Sequence, residues 1–489
     1  MKTLFMTSVL FLAVFYHVNG QNYQAVYADR TAAFINENNE IFFIEIRQAG
    51  QIAQDSVFTP FKGIQEIGES NNYGMCYDPF GASWIGKEVI IRDDGYNVFL
   101  NRVGDSVFLL TTANPGDSWT AYQQAEGITV VATVSQIDVY EFLGIQDSVK
   151  TIVFQVYDDA MQPIEHHLNN RYLLLSKHHG LLRSMNFSLF PDYVYWTQQL
   201  MEADLAGMSR PMLGIQNLTW MQAQDFQPGD ELHVTFDANM PWFYQEHYEL
   251  IHRYLERVDY PDSVMYTVER QKYRIKTESG QQLFEEYLFD TITQTFTPDP
   301  DFDKLPGETV FDDVVLGMES AYVNSMHLLF REEKRVASFD NWIQFLDDDC
   351  WGFSMIIDGC FSDHTYYKGL GGPYHYCNLW GEVERKLVYY KKGDEEWGNP
   401  LVIGLDELAK ERPAVAPNPA TNEIRLMHLD QYPTIDFYLY DVNGRQLMML
   451  PQHHTSTVID LTALPNGMYF YRILHEGKLL HGNKLLIQR

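Results

Sequence analysis

Histidine and aspartate, two residue types that bind metal ions, occur in clusters in this sequence. Adjacent histidines occur at positions 166–167, 178–179 and 453–454. Adjacent residues of a strand face opposite sides, so no such pair can chelate one ion by itself, and we expect these imidazoles to face solvent. Asp299, Asp301 and Asp303 have the spacing of a calcium-binding loop. Lys304 replaces the glycine that such a loop requires, so we predict no metal site and no cofactor, with opportunistic calcium binding as the alternative to a solvated linker.

Short segments also look like parts of catalytic motifs. His247 and His252 enclose a glutamate, as in zinc peptidases, but that motif needs histidines four apart on one helical face and these are five apart. Ser106 and Ser118 each follow Gly-Asp, as does the serine at the start of one class of esterase. That class also has an Asp-x-x-His motif, which residues 230–233 would mimic. Those enzymes need an α/β scaffold, whereas Ser106 is predicted to begin a strand after an Asx turn. We therefore predict no catalytic residues.

The elements that would position these residues are mostly strands. Segments rich in Val, Ile, Tyr, Phe and Thr alternate with period two, which is typical of half-buried strands. The predicted strands include Ile41–Arg47, Glu88–Arg92, Ser106–Thr112, Ile128–Val134, Val149–Tyr157, Arg171–Lys177, Val264–Lys276 and Leu387–Lys391. Asp192–Leu205 and Trp242–Val258 fit neither period cleanly and could be helical. We predict a mainly β fold, with an antiparallel β body followed by a small C-terminal immunoglobulin-like β-sandwich.

Residues 1–20 have the pattern of a secretory signal peptide. A short apolar run, Leu4–Tyr16, precedes the small residues Val18 and Gly20, and the mature chain is expected to begin at Gln21. The run is too short to span a bilayer, and no later segment is long and apolar enough, so we predict no transmembrane segment.

The charge is distributed unevenly along the chain. The formal net charge is −31, yet six basic and six acidic residues balance from Pro413 onward. This shift marks a domain boundary near residue 411. The acidic body would be repelled by phosphate backbones, so nucleic acid is not expected as a partner.

Four domains are predicted from these shifts and from turn signals. They are the signal peptide at 1–20, the acidic β body at 21–297, a second β region with the cysteine segment at 298–410, and a C-terminal domain at 411–489. A weak repeat of the tripeptide Pro-Gly-Asp suggests two related β units in the body, at about 90–190 and 210–297.

The cysteines are interpreted from the compartment. An exported protein meets an oxidising environment, so we predict at least one disulfide among Cys350, Cys360 and Cys377, with the pairing left open. The alternative is a metal site that combines these three with His364 or His375. Zinc sites favour closely spaced Cys-x-x-Cys pairs, which are absent, so the disulfide is favoured.

The most specific pattern lies in the C-terminal domain. Two prolines fix an extended start because each locks φ and disfavours helix before it. An alternating strand, an Asn-Gly dipeptide suited to a type I′ hairpin, and further strands follow. The residues that carry the pattern are Pro417, Asn418, Pro419, Asn443, Gly444, Gly467, Tyr469 and Lys484.

These residues closely resemble the type A C-terminal sorting domain of the type IX secretion system. In that family Pro-Asn-Pro-Ala precedes a hairpin with Asn-Gly, a turn glycine, a tyrosine, and a basic residue before an apolar end. The resemblance implies Sec and type IX secretion machinery as partners. It also implies passage through the periplasm and across the outer membrane, to the cell surface or the medium.

A second pattern suggests modification. Asp-Ser-Val occurs four times and Asp-Thr-Ile once, and each is predicted to be a turn whose aspartate bonds its own backbone. Asp-Ser/Thr before an aliphatic residue also resembles the periplasmic O-glycosylation motif of bacteria that use type IX secretion. The glycosylation candidates are Ser56, Ser106, Ser148, Ser263 and Thr291.

Two hypotheses remain for the body. The first is a non-enzymatic surface protein that binds an extracellular ligand, which the sequence does not identify. The second is a secreted glycan or peptide hydrolase whose carboxylates are dispersed over the fold. The absence of a compact catalytic motif favours the first. Two carboxylates in one cleft, one with a raised pKa, would favour the second.

Overall fold

The computed structural model describes residues 23–70, 74–124, 127–192, 202–240, 244–312, 319–329, 332–337, 343–347, 350–353, 364–378, 381–403, 414–427, 429, 432, 434–442, 444–454, 458–475 and 478–489. The predicted signal peptide lies outside these residues. No helix in the described ranges is long and apolar enough to cross a membrane.

Short strands make up the N-terminal part of the body. They are β1 (Ala32–Ile35), β2 (Ile41–Ile44), β3 (Ile46–Ile52), β4 (Asp55–Pro60), β5 (Gly63–Ser70), β6 (Gly74–Gly81), β7 (Glu88–Ile91), β8 (Tyr96–Leu100), β9 (Ser106–Leu110), β10 (Ser118–Gln123), β11 (Thr129–Phe142), β12 (Ile145–Tyr157), β13 (Tyr172–Ser176), β14 (Gly180–Met185), β15 (Glu202–Ser209) and β16 (Met212–Gly214).

Longer strands and two short helices follow. They are α1 (Trp220–Ala223), β17 (Glu231–Met240), β18 (Tyr244–Tyr260), β19 (Ser263–Glu278), β20 (Gln281–Phe296), α2 (Pro300–Asp303), β21 (Thr309–Asp312), β22 (Ser320–Leu329), β23 (Glu332–Ala337), β24 (Ile343–Asp347), β25 (Cys350–Phe353), β26 (His364–Tyr367), β27 (Gly371–Asn378), β28 (Glu382–Lys392) and β29 (Glu395–Gly398).

The C-terminal domain contains β30 (Ala414–Ala416), β31 (Glu423–Met427), β32 (Thr434–Tyr440), β33 (Gln446–His454), β34 (Val458–Asp460), β35 (Gly467–His475) and β36 (Lys478–Ile487). All the predicted strands given above fall on these elements, and the mainly β class is confirmed. Trp242–Val258 is mostly strand β18 rather than helix, and Asp192–Leu205 lies largely outside the described residues.

The body is built from three antiparallel sheets. One has the order β10-β11-β12-β13-β14-β15-β1-β2, with β16 beside β15, and a second has the order β3-β4-β7-β8-β9. These two sheets pack around the largest core, in which Phe99 of β8 stacks on Phe187 with ring centroids 4.0 Å apart. Burial of such large apolar side chains stabilises the fold by about 1.5–3 kcal/mol each.

One cation lies at the edge of this core. Lys150 of β12 is only 3% exposed. Its ammonium donates hydrogen bonds to the carbonyls of Thr111 and Ala113, at 2.6 and 2.7 Å, and lies 4.1 Å from the ring centroid of Tyr23. Burial lowers the pKa of Lys150. These contacts replace the water that a charged group would otherwise need.

The third sheet is the largest and contains the longest hairpins. Its order is β20-β19-β18-β17-β28-β27-β26-β23-β22-β24-β25-β6-β5, with β21 beside β22 and β29 beside β28. The four strands β17 to β20 pair over nearly their whole lengths. At one end of these antiparallel strands, Val234, Tyr254 and Tyr266 are buried in a separate apolar core.

The segment that contains Asp299, Asp301 and Asp303, predicted to be a solvated linker, is instead a packed element. Asp299 caps α2 by accepting hydrogen bonds from the backbone of Asp301 and Phe302. Phe302 and Leu305 are buried, so the prediction of an exposed loop was wrong. Proline and aspartate are common in loops, which suggested a linker. The same residues also favour the first turn of a helix, and the sequence does not distinguish the two.

The structure gives Cys350 a disulfide partner that the sequence analysis did not consider. Cys350 pairs with Cys76, across 274 residues, and not with a neighbouring cysteine. β25, which begins at Cys350, lies beside β6, which contains Cys76, so the sheet brings the two together. Cys377 is also disulfide-bonded, and Cys360 lies outside the described residues. Sequence spacing favoured a short loop because it carries no information on this long-range pairing.

The C-terminal domain is a small sandwich of two sheets, β30-β31-β34 and β33-β32-β35-β36. Alternate residues of the facing strands meet in its own core, which includes Ile424, Phe437, Tyr471 and Leu485. This arrangement confirms the predicted C-terminal β domain.

Candidate functional site

The proline-rich start of the C-terminal domain is fastened to strand β36. The side-chain amide of Asn418 donates to the carbonyl of Lys484, and its oxygen accepts from the N–H of Leu486, both at 2.9 Å. Ala420, which is fully buried, continues this contact through backbone hydrogen bonds with Leu486 and Gln488. Pro417 and Pro419 are exposed on either side of Asn418. The motif therefore acts as a clasp between the start and the end of the domain.

Two more pattern residues lie at the start of β35. The hydroxyl of Tyr469 donates to the carbonyl of Pro465 at 2.7 Å, which closes the turn that contains Gly467. Arg489 reaches the same turn and donates to the carbonyls of Leu461 and Leu464 at 2.8 and 2.7 Å. These contacts give tyrosine and the turn a structural role in holding β35 and β36 in register.

The remaining pattern residues border an open groove. A groove of about 710 Å³ is lined by Tyr440, Asp441, Val442, Gly444, Phe470, Tyr471, Arg472, Gly482, Asn483 and Lys484. Gly444 has φ +79°, the left-handed conformation expected of a hairpin glycine, while Asn443 lies outside the described residues. Arg472 lies over the ring of Tyr440, and Lys484 sits cross-strand from Phe470.

Exposed apolar side chains occur in this groove, at Val442 and Phe470, and elsewhere on the four-stranded sheet, at Met449 and Met468. Val442, Met449, Met468 and Phe470 are between 44% and 63% exposed. Soluble monomers rarely leave such side chains together on one face without a function. The C-terminal domain therefore presents a groove with two cations and exposed apolar side chains.

The glycosylation candidates differ in accessibility. Ser56 is buried, and the hydroxyl of Ser148 is hydrogen-bonded to that of Tyr23 at 2.7 Å. Ser106 begins β9, as predicted, and Ser263 begins β19 after a turn; both are half-buried. Thr291 is exposed in the middle of β20, so the prediction that each motif forms a turn was wrong there.

The motif at Ser148 is also not a turn. Asp147 is buried inside strand β12 and accepts hydrogen bonds from Ser176 and from the backbone and ring of His178. These bonds outweigh the effect of burial and lower the pKa of Asp147. Ser176 bonds the aspartate rather than the histidine, so this cluster lacks the geometry of a nucleophilic triad.

The histidine and aspartate clusters do not converge on a metal. His178 bonds Asp147, whereas His179 packs against Phe142, so the two imidazoles diverge. Burial lowers the pKa of His179, which is not fully solvent-facing as expected. No group of three metal-ligating side chains occurs within the described ranges.

The three aspartates of the calcium-like segment are used for structure. Asp299 caps α2, Asp301 pairs with Lys304 at 3.2 Å, and Asp303 accepts from the N–H of Trp220 at 2.6 Å. Because each carboxylate has a different partner, the three do not form a common cation site.

A small pocket in the body contains two carboxylates. It has a volume of about 190 Å³, and Glu45 and Asp303 contribute to its lining. Glu45 accepts from the hydroxyl of Thr31 at 2.9 Å and pairs with Arg47. Both carboxylates are therefore engaged in local contacts.

The carboxyl groups with displaced pKa values all shift the same way. The pKa is lowered at Asp147, Glu231, Asp259, Asp290 and Asp460. A general acid of a glycosidase would need the opposite shift. Among the described residues, the pair of carboxylates expected for a hydrolase is not found.

Strand β19 carries an unusual set of cations. Val264, Tyr266 and Val268 on one face are buried in the apolar core. The same face then continues with Arg270, Lys272, Arg274 and Lys276, all partly exposed. Together with Arg385 of β28, which β18 and β17 separate from β19 in the same sheet, these four residues form what we call the basic face. The alternation of these four cations along the sequence is a signal that could have identified this face.

Within the described ranges, two cations of the basic face have carboxylate partners. Arg270 forms a two-pronged pair with Asp290, at 2.9 and 2.6 Å, and Arg274 bonds Glu246 at 2.6 Å. Lys272 lies 5.2 Å from the ring centroid of Tyr248 instead.

Lys276 likewise lies 4.6 Å from the ring centroid of Tyr244. Arg385 donates to the carbonyl of Pro373 at 2.8 Å and lies over Tyr374, while its Nε is buried without a hydrogen-bond partner in the described part of the chain.

A neutral histidine lies among these cations. His252 of β18 pairs cross-strand with Arg270. Burial, and then the charges of Arg270 and Arg385, lower the pKa of His252 to about 4, although Asp290 acts in the opposite direction. His252 is therefore uncharged at neutral pH, which limits the accumulation of positive charge at the base of the basic face.

Comparison with known proteins assigns only the C-terminal part. Residues 414–488 match the family described as the secretion system C-terminal sorting domain. No curated protein matches the chain. Two solved structures are similar over 97% of this chain and 93% of theirs, at 8% and 9% identity and a TM-score of 0.13. They are extracellular domains of a putative one component system and a putative hybrid two component system, both BT4673 from B. thetaiotaomicron. A TM-score this low supports no argument about fold or function.

The C-terminal domain is therefore a type IX secretion sorting domain, as the motif predicted. The body is not assigned to a characterised family.

Proposed function

We propose that this protein is a cargo of the type IX secretion system, with an N-terminal Sec signal and a C-terminal sorting domain that the outer-membrane machinery recognises. The match over residues 414–488 carries this proposal. The domain folds around its own core, and its motif residues either clasp its two ends or border its groove. Such a self-contained unit is suited to recognition independent of the cargo.

Deletion and fusion test the sorting assignment. Removal of residues 413–489 is expected to leave the protein in the periplasm, while fusion of these residues to a Sec-exported reporter is expected to deliver the reporter outside the cell. Cell fractionation and surface labelling measure both. Normal surface delivery of the truncated protein would refute the assignment.

We propose further that the body is a non-enzymatic binding protein at the cell surface or in the medium. The support comes from strands β17–β20 of the third sheet, whose two faces are partly exposed beyond the apolar core. Lys272 and Lys276 on these strands have no carboxylate partner among the described residues. The alternative is a glycan or peptide hydrolase. The downward pKa shifts of the carboxyl groups weigh against that alternative. Catalytic release of products from an oligosaccharide or peptide substrate by the purified body would establish the hydrolase instead.

The glycosylation candidates are proposed in order of accessibility. Thr291 is the best placed, because its side chain is exposed on edge strand β20. Ser106 and Ser263 are intermediate, whereas Ser56 and Ser148 are poorly accessible in the folded protein. A bulky glycan on β20 would also prevent another strand from pairing with this edge.

A further inference from the structure

The charge of the basic face is opposite to that of the protein. The chain has 66 acidic and 35 basic residues. With carboxylates this abundant, solvent-exposed lysines would be expected to find acidic neighbours. Lys272 and Lys276 nevertheless have no carboxylate within ion-pairing distance among the described residues. The basic face therefore carries more cations than carboxylates, with Glu246, Glu286 and Asp290 beside its five basic residues.

The spacing of the cations is set by the strand. Residues two apart on one face of a strand are about 6.6–6.8 Å apart, so Arg270, Lys272, Arg274 and Lys276 form a straight row. The neighbouring strands hold the row rigidly, since β19 pairs with β18 on one side and with β20 on the other. Long side chains over aromatic rings are also held in place, which lowers the entropic cost of binding an anion. The row is thus preorganised for an extended ligand.

The same face also has an acceptor for hydroxyl groups. Glu286 of β20 lies cross-strand from Arg274 and forms no ion pair within the described ranges. A carboxylate among the cations would repel a ligand of high charge density, as would the acidic body as a whole. It would accept hydrogen bonds from a hydroxyl-rich ligand with few charges. Tyr244 and Tyr248 add hydroxyl groups beside the lysines.

We propose that the basic face binds an acidic oligosaccharide, with Lys272 and Lys276 pairing to its carboxylate or sulfate groups and Glu286 accepting hydrogen bonds from its hydroxyls. This inference rests on the proposed role of the body as a binding protein and identifies its ligand class. Burial and the neighbouring charge of Arg274 lower the pKa of Lys272, so an anion placed beside this lysine would be bound in a partly desolvated site.

Calorimetric titration of the secreted full-length protein with matched ligands tests the proposal. The ligands are galacturonic acid oligomers, sulfated galactose oligomers, neutral galactose oligomers and a glutamate-rich peptide of the same charge. We expect one or both acidic sugars to bind, and the affinity to fall with added salt. Binding only to carboxylated or only to sulfated sugar identifies the anionic group. Equal binding of the neutral sugar, equal binding of the peptide, or no binding of either acidic sugar would overturn the proposal.

Variants locate the ligand on the basic face. The double substitution Lys272→Gln and Lys276→Gln should weaken binding by about tenfold or more, because it removes two charge-assisted contacts. Lys272→Arg with Lys276→Arg should retain binding, and Lys391→Gln, at an exposed lysine of the same sheet, should leave it unchanged. Thermal unfolding of each variant shows whether the fold is retained. Unchanged affinity of the folded double glutamine variant would overturn the assignment to this face.

The same samples separate this inference from the proposed function. Incubation with the acidic oligomers followed by product analysis detects hydrolysis. Binding without cleavage supports both proposals, while cleavage would retain the ligand class but refute the non-enzymatic body. Absence of binding refutes the ligand class alone, since sorting is tested independently by removal of residues 413–489.

Discussion

The side-chain oxygen of Asn418 accepts a hydrogen bond from the backbone N–H of Leu486 at 2.9 Å, across 68 residues of the chain. The same side chain donates to the carbonyl of Lys484. A residue at the start of the sorting motif thereby completes the hydrogen bonding of strand β36, next to the basic residue of the motif. The motif therefore has a structural explanation in addition to any direct recognition.

Substitution of this asparagine tests the clasp. Asn418→Ala removes both hydrogen bonds and should destabilise the end of the sorting domain by about 1–2 kcal/mol. Hydrogen exchange of the full-length protein should show faster exchange at Leu486 and Ala420. Thr421→Ala, at a nearby exposed residue, is the control. Equal protection in Asn418→Ala and the wild type would contradict the structural role.

The long-range disulfide should be a major contributor to stability. Cys76→Ser with Cys350→Ser should lower the free energy of unfolding by about 2–5 kcal/mol, because closure of a long loop restricts the unfolded chain. Chemical unfolding of the double variant, compared with the wild type, measures the effect. The double variant avoids reductant, which would also break the disulfide of Cys377. Detection of Cys76 as a free thiol in secreted protein would disprove the bridge.

His252 should make stability depend on pH. Its pKa falls from 6.5 to about 4 on folding, so the unfolded chain binds more protons in this interval. Stability should decrease as the pH falls from 6.5 towards 4 and should be independent of His252 above that range. At pH 4.5, protonation of His252 in the unfolded chain should lower the stability of the wild type by about 2 kcal/mol relative to neutral pH. Urea unfolding of His252→Gln at pH 7 and pH 4.5 should show a smaller loss than the wild type; an identical loss would exclude His252 as the cause.

Lys150 should be needed for packing despite its charge. Lys150→Met retains most of the side-chain volume but leaves the carbonyls of Thr111 and Ala113 unpaired. We expect a loss of about 2–3 kcal/mol, measured by the unfolding midpoint. Lys62→Met, at an exposed lysine, should have little effect. A neutral or stabilising effect of Lys150→Met would show that water satisfies these carbonyls.

Modification should follow the exposure of the hydroxyl. Thr291→Ala is expected to reduce the intact mass of native secreted protein by that of one glycan, beyond the mass of the substitution itself. Ser56→Ala should change the mass only by the substitution, because Ser56 is buried. A wild-type mass equal to that of the unmodified processed chain rules glycosylation out.

The sequence predicted strands best where one face is buried and the other is not. β12 is an example, since Ile152, Phe154 and Val156 are buried and the residues between them are partly exposed. β18 was ambiguous because, apart from its buried residues Ile251 and Tyr254, both of its faces carry charged and aromatic side chains, so period two disappears. Strand type there is decided by pairing with β17 and β19, which local sequence does not contain.

The candidate sites were likewise predicted where the sequence signal is local and missed where distant strands form the site. Asn418 and Tyr469 were found because the sorting motif is contiguous and has fixed spacing. The basic face was missed because its members come from β19 and β28 and their partners from β18 and β20, which the third sheet brings together. The Cys76–Cys350 pair was missed for the same reason.

That pair has a consequence for the life of the protein outside the cell. Residues 76 to 350 form a covalent ring through the bridge. A protease that nicks one loop within this ring would open it without separating the two pieces, which would stay joined by sulfur. The nicked protein would keep its sheets together and would run as two fragments only after reduction. Resistance to fragmentation in a protease-rich medium is therefore built into the connectivity of the chain.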